Sequence, residues 1–187
     1  MKTDLLTGSR GHLGPQYTKY LRKKGIKVFG VDLSSSEHKD DLTVKSLKEL
    51  KSFKYLASVS NIIHLSAVSG VNDGEKDPEN CIKTNIYELT ALLQILLNKN
   101  LKIENFLFIS SADALNVKNN LKSHTDIYSL SKYMGELIVN YYSNRLNFNI
   151  AILRFTTLYG YLDKSNKKVL PLFINLALKN KSIKILN

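Results

Sequence analysis

Five short apolar runs, Thr3–Thr7, Lys27–Leu33, Asn61–Ala67, Asn105–Ser111 and Asn149–Phe155, alternate along the chain with segments of helical periodicity. The runs have few polar breaks, as strands buried on both faces do. Such an alternation restricts the fold to a parallel sheet with helices on both faces, joined by right-handed crossovers. The helical segments are His12–Lys24, closed by Gly25, then Thr43–Leu56, Glu79–Asn98, Asp126–Arg145 and Val169–Asn180. Thr43 and Asp126 suit N-caps, and Pro78 and Pro171 fall near helix starts. After Gly160 the pattern changes: YLDKSNKK is polar and turn-like, and one more helix and a last run, Ser182–Leu186, follow. The chain therefore divides into a domain over 1–160 and, over 161–187, the start of a second lobe that looks cut rather than finished.

Directly after the first run stands GSRGHLG. A strand, a glycine-rich loop and a helix in that order can hold a dinucleotide pyrophosphate on the helix N-terminus. Gly8 permits the tight turn, Gly11 lets a phosphate approach the backbone, and Gly14 allows close packing of helix on strand. The spacing alone also suits an ordinary tight turn. Asp32 adds weight, because it ends the second run where a carboxylate accepts from the adenosine ribose hydroxyls. The two together predict a Rossmann-type, doubly wound α/β domain with a dinucleotide site. A carboxylate at Asp32 repels a 2′-phosphate, which favours NAD over NADP. Arg10, inside the loop, is the residue that argues the other way.

Composition narrows the field further. The 187 residues are 43% hydrophobic and 23% charged, enough for one packed core. No window approaches the roughly 20 apolar residues of a membrane helix, and MKTDLL leads straight into a strand instead of a signal core. These readings give a cytoplasmic protein with no membrane partner. The single cysteine, Cys81, leaves no internal disulfide, and His12, His38, His64 and His124 lack metal-ligand spacing, so no metal site is expected. The net charge of +11 comes from lysines spread along the whole chain among many asparagines and isoleucines. That distribution is a compositional bias and not a nucleic-acid stripe.

Tyr128 and Lys132 stand four apart in IYSLSKYMGE, on one face of a helix. A free tyrosine titrates near 10, so acting as a base at neutral pH asks for a shift of roughly three units. A neighbouring ammonium acts in that direction. Tyr20 and Lys24 share the spacing but sit at the far end of the first helix, away from the strand C-termini where ligands bind in such sheets. FLFISSADAL supplies two hydroxyls, Ser110 and Ser111, at the C-terminal end of a strand, where one can steady a developing alkoxide.

With these residues in place the chain resembles the extended short-chain dehydrogenase/reductases of the NAD-dependent epimerase/dehydratase family, which act mostly on nucleotide sugars. TGSRGHLG, through Gly8, Arg10, Gly11, His12, Leu13 and Gly14, fits the family's TGxxGxxG. Asp41 and Leu42 resemble its adenine-contacting pair. IIHLSA, with Leu65, Ser66 and Ala67, is similar to the strand that passes the cofactor, and Asp77, Pro78 and Asn85 fall on the family's spacing. Ser111 takes the catalytic hydroxyl's place, YSLSKYMGE through Glu136 fits YxxSKxxxE, and LRFTTLYG resembles the Arg-containing strand and its turn.

The resemblance implies an NAD-dependent epimerase that oxidises a sugar C4 transiently, with Tyr128 as base, Ser111 steadying the oxygen, and Lys132 on the nicotinamide ribose. Ser111, Asp113 and Thr157 would face the sugar nucleotide. It also implies a homodimer through a bundle of the third and fourth helical segments, and a role in polysaccharide biosynthesis. Departures are informative. Leu115 and Asn116 stand where Tyr–Gly is common, and Thr157 where Asn is common. Ala112 before Asp113 replaces an acidic pair, which disfavours a 4,6-dehydratase. A reductase, or a truncated relative that binds NAD without turnover, are the alternatives.

Overall fold

The computed structural model describes residues 2–119, 125–159 and 169–183. They form two compact units, Met1–Thr156 and Thr157–Asn187. The first is a six-stranded sheet, every pairing parallel, of strands β1 (Thr3–Thr7), β2 (Lys27–Asp32), β3 (Leu42–Thr43), β4 (Asn61–His64), β5 (Asn105–Ser111) and β6 (Asn149–Phe155) in the order β3-β2-β1-β4-β5-β6. Strand order reverses between β1 and β4, the crevice where open α/β sheets bind ligands.

Strand alternation builds a core on each face. Leu5 of β1 and Ile62 of β4 point to the larger core, with Phe106 and Phe108 of β5. Over it lie α4 (Glu88–Asn98), through Leu89, Leu92, Leu93 and Leu96, and α6 (Ile127–Leu146), through Val139 and Tyr142. Each fully buried leucine contributes about 2 kcal/mol. The next residues, Leu6 and Ile63, face the other way, onto Val28 and onto Leu21 of α1 (Gly14–Lys23). Helices thus cover both faces, as the apolar runs predict, but not at β6, an edge strand, where no residue is buried.

Several elements differ from expectation. In place of one helix over Thr43–Leu56 the chain forms β3 and two 3₁₀ turns, Leu47–Ser52 and Leu56–Ser58. The cap is Ser46, which accepts from the Lys48 amide, and not Thr43. Glu88 fixes this turn by accepting from the Ser46 hydroxyl and the Leu47 amide. The expected Glu79–Asn98 helix divides into α3 (Pro78–Ile82), a π-turn over Lys83–Tyr87, and α4. Two short helices were not signalled by the sequence: α2 (Val71–Lys76) and α5 (Asp113–Asn119). Asp126 caps α6 as predicted, accepting from the Ser129 amide at 2.8 Å.

The second unit contributes α7 (Val169–Leu178). Most of the run Ser182–Leu186, and Gly160 and His124, lie outside the described residues. Among the described residues no helix is long and apolar enough to cross a membrane, and no cluster of His, Cys, Asp or Glu is arranged to hold a metal.

Candidate active site

Gly8 turns the chain out of β1 at φ +72°, and a Cβ there would meet the Ser66 amide at 2.7 Å. The glycine loop therefore lies directly against Leu65–Ala67, which leave β4. Gly14 starts α1 pressed on the loop, where a Cβ would come within 2.5 Å of the Ser9 carbonyl carbon. Gly11 is different: its outward side is exposed, and a Cβ would touch only the Gly8 carbonyl, at 3.3 Å. Leu13 precedes α1 with no side-chain cap, and no acidic residue sits in the first turn. An uncapped helix end of this kind presents amides and a partial positive charge to an anion. The residues present fit a dinucleotide pyrophosphate.

Asp32 stands at the C-terminal end of β2 and accepts from the Arg10 amide at 2.8 Å and the Ser34 amide at 3.0 Å. Asp41 is turned inward. Its carboxylate accepts from the Arg10 guanidinium at 2.5 Å, from Arg22, from the Ser36 hydroxyl at 2.7 Å and from the Gly30 amide at 3.2 Å. Burial pushes this carboxyl up, but Ser36, Arg22 and Arg10 outweigh it and hold it below the usual carboxylate range. Leu42 pairs with Val31 and Thr43 with Asp32, and Asp41 stands beside Gly30, two residues before the end of β2. Arg22, Ser36 and Gly30 are partners that sequence reasoning missed, since nothing local ties them to Asp41.

Ser111 and Tyr128 meet. The Ser111 hydroxyl donates to Asp113 at 3.1 Å and stands near enough to the Tyr128 phenol to favour its ionised form. Its neighbour Ser110, on the other face of β5, is buried and donates to Glu136 at 2.6 Å. Arg154 of β6 clamps Glu136 with two bonds, of 2.8 and 2.6 Å. Strand alternation thus decides between the two serines: Ser111 faces the phenol and Ser110 braces α6 on the sheet.

Lys132 is 6% exposed and donates to the Ile109 carbonyl at 3.0 Å, with its ammonium 5.5 Å above the Phe108 ring. Burial pushes its pKa down to about 8. Burial also raises the Tyr128 phenol, and nearby Asp113 and Asp126 add to the rise, while the Ser111 hydroxyl opposes it. The Lys132 ammonium is not among the groups that act on this phenol; it donates to the Ile109 carbonyl.

The neighbouring residues fix this geometry. Asn85, in the π-turn, accepts from the Val68 amide at 2.8 Å and donates to the Ser131 hydroxyl at 2.8 Å. It ties the loop after β4 to the helix carrying Tyr128 and Lys132, and π-turns recur where such side chains must be aimed. In α2, Gly74 lies under Tyr128: a Cβ there would stand 2.9 Å from that of the tyrosine. Glu75 accepts from the Ile127 amide at 2.8 Å. Beside Asp113, Asn116, Asp126 and Ser129 a cavity of about 110 Å³ opens. Thr157 belongs to the second unit.

The description "NAD dependent epimerase/dehydratase family" matches residues 5–187. The chain is 25% identical to Protein CapI of Staphylococcus aureus over 83% of its own length and 54% of that protein. It is 26% identical to the UDP-glucuronate 4-epimerase of Thermodesulfobacterium geofontis, over 97% of this chain and 63% of that one. The chain thus spans between about half and two thirds of the length of these relatives. Among solved structures, UDP-glucose 4-epimerase from Thermotoga maritima, with UDP-glucose, superposes with a TM-score of 0.81 at 22% identity, covering 99% of this chain and 66% of that one. UDP-glucuronic acid 4-epimerase from Bacillus cereus, in complex with UDP-glucuronic acid and NAD, gives 0.76 at 21% identity, over 96% and 64%. Loop, strand order, hydroxyl pair and sequence match converge on one conclusion: this chain belongs to the NAD-dependent epimerase/dehydratase family.

Proposed function

We propose that the chain carries the NAD-binding and proton-transfer half of a nucleotide-sugar 4-epimerase. The observation that carries this reading is the Gly8–Gly14 loop packed on Leu65 and Ser66 and joined, through Val68 and Asn85, to the helix that carries Tyr128 and Lys132. Bound NAD supplies an acceptor for the C4 hydride and a positive ring. The Gly8–Gly14 loop holds the pyrophosphate, Asp32 the adenosine ribose, and Leu65–Ala67 line the cofactor's path.

The chain's own part is to move a proton. Ser111 fixes the sugar hydroxyl by hydrogen bonding, and Tyr128 takes its proton. Burial alone works against the phenolate, so Lys132 must leave the Ile109 carbonyl and turn toward Tyr128 when the site fills. Asp113, sharing the Ser111 hydroxyl, stands on the sugar side; the proposal also assigns Thr157, a residue of the second unit, to sugar-nucleotide binding. The same proposal includes a cytoplasmic enzyme of polysaccharide biosynthesis. It also includes a homodimer through a bundle of the segment Glu79–Asn98 and α6, where Tyr87, Leu137 and Tyr141 are exposed.

One observation favours a second reading, an NAD-binding relative without turnover: Lys132 is hydrogen-bonded away from Tyr128. The experiment compares the chain with its Tyr128→Phe variant. NAD is expected to raise the melting temperature of both by several degrees. Turnover of UDP-sugars is expected in the parent and lowered about 10²- to 10⁴-fold in the variant, the scale of a lost acid–base group. Turnover retained by Tyr128→Phe overturns the assignment of the base. No turnover in the parent, with the NAD shift intact, selects the second reading.

A further inference from the structure

Two arginines converge on one buried carboxylate at the edge of the proposed cofactor loop, and one of them is the residue best placed to accept a phosphate. The Arg10 amide is fixed by Asp32 at the ribose end of β2, so its side chain starts where a 2′-phosphate would lie. That side chain does not extend there. Its guanidinium is drawn back to Asp41, whose side chain is 2% exposed. Asp41 in turn is seated by Arg22, the Ser36 hydroxyl and the Gly30 amide. Gly30 makes the seat possible, because a Cβ at that position would stand 2.5 Å from the Asp41 carboxylate oxygen.

We propose that Asp41 determines cofactor selectivity by holding Arg10, so that the one cation of the glycine loop is withheld from a 2′-phosphate and NAD is taken in preference to NADP. The inference rests on the reading of the loop as a dinucleotide site. It differs from the usual account in one respect. Asp32 repels the 2′-phosphate directly, whereas Asp41 acts at a distance by occupying the guanidinium that would neutralise it. Without the Asp41 charge, Arg10 and Arg22 face each other across a neutral side chain. Arg10, the more exposed of the two at 31%, is then the one free to turn outward. A released guanidinium is expected to recover about one charge-assisted hydrogen bond to the phosphate, roughly a tenfold gain in affinity.

The test measures dissociation constants of NAD and NADP by calorimetry for the parent, Asp41→Asn, Arg10→Ala and the double variant. Asparagine keeps the size of the side chain, and its Oδ1 can accept from the Gly30 amide while its Nδ2 donates to the Ser36 hydroxyl. Asp41→Asn is expected to bind NADP about tenfold more tightly while NAD changes less than threefold, and the gain is expected to vanish in the double variant. An unchanged NADP/NAD ratio in Asp41→Asn, or a gain that survives removal of Arg10, overturns the proposal. Should Asp41→Asn fail to fold, Arg10→Ala carries the test. Withheld from the phosphate, Arg10 contributes nothing to parental NADP binding, so the ratio stays within twofold; a tenfold loss of NADP affinity shows a guanidinium already free and overturns the inference. A parent that binds neither dinucleotide sinks the reading of the loop itself, a distinct result.

Discussion

Ser110 and Ser111 are chemically identical neighbours, and only the alternation of β5 gives them different work: one braces Glu136, the other meets Tyr128. The strand-end position alone supplies both hydroxyls, and it is the family resemblance that singles out Ser111. The glycines are more legible, because a positive φ and a close backbone approach are properties that glycine alone supplies. Asp41 is less so, since its partners lie between 5 and 31 residues away and no local pattern joins them. His64 was visible only as a histidine without metal spacing. It is fully buried between aromatic rings, its Nδ1 hydrogen-bonded with the Thr7 hydroxyl at 2.8 Å. Burial, helped by the Lys132 charge, depresses its pKa from 6.5 to about 3. The stabilising consequence is fully present above pH 6.5, where both folded and unfolded chains are neutral at this position. Between pH 6.5 and 3 only the unfolded chain takes the proton, so stability falls with acidity by about 1.4 kcal/mol per pH unit. Denaturant melts from pH 7 to 4 are expected to show this limb, and His64→Phe, which keeps an aromatic ring between Phe106 and Phe108, is expected to flatten it.

At the level of elements, long segments with one strong period were readable and short ones were not. β1, β5 and β6 follow from apolar runs of five to seven residues, and α1 and α6 from helical periodicity and caps such as Asp126. The Thr43–Leu56 segment misleads because Val44, Leu47 and Leu50 recur at a spacing of three, which suits a 3₁₀ turn as well as an α-helix. β3 is two residues long, below what alternation can register. The π-turn at Lys83–Tyr87 leaves no mark on apolar periodicity, yet it is what turns Asn85 toward Val68 and Ser131. Helix α2 is also hidden, and it carries the floor under the proposed base. Gly74→Ala adds a methyl 2.9 Å from the Tyr128 Cβ and 3.3 Å from Ile127 Cγ2. The gain in helix propensity, about 1 kcal/mol, offsets part of the strain, so the melting temperature is expected to move little. The phenol, by contrast, is displaced from Ser111. Steady-state assays are expected to show kcat lowered about tenfold with the NAD-induced thermal shift unchanged.

On the scale of the whole molecule, the parallel frame was the most legible property of all. Near-continuous apolar runs admit few alternatives to strands buried on both faces, and Leu5/Leu6 and Ile62/Ile63 divide between the two cores accordingly. The composition changes near Gly160, and the compact units are Met1–Thr156 and Thr157–Asn187. Stability is distributed unevenly over the first unit. The sheet and α4 hold the leucines and phenylalanines at near-zero exposure, whereas in α2 five of six residues are exposed and Gly74 alone is buried. Segments with so few interior contacts open at a fraction of the global free energy. Because that slight helix supports Tyr128, heating is expected to unseat the base while the sheet is still intact. An activity-versus-temperature curve should therefore turn down, reversibly, several degrees below the cooperative melt seen by circular dichroism, and a saturating sugar nucleotide should close the gap.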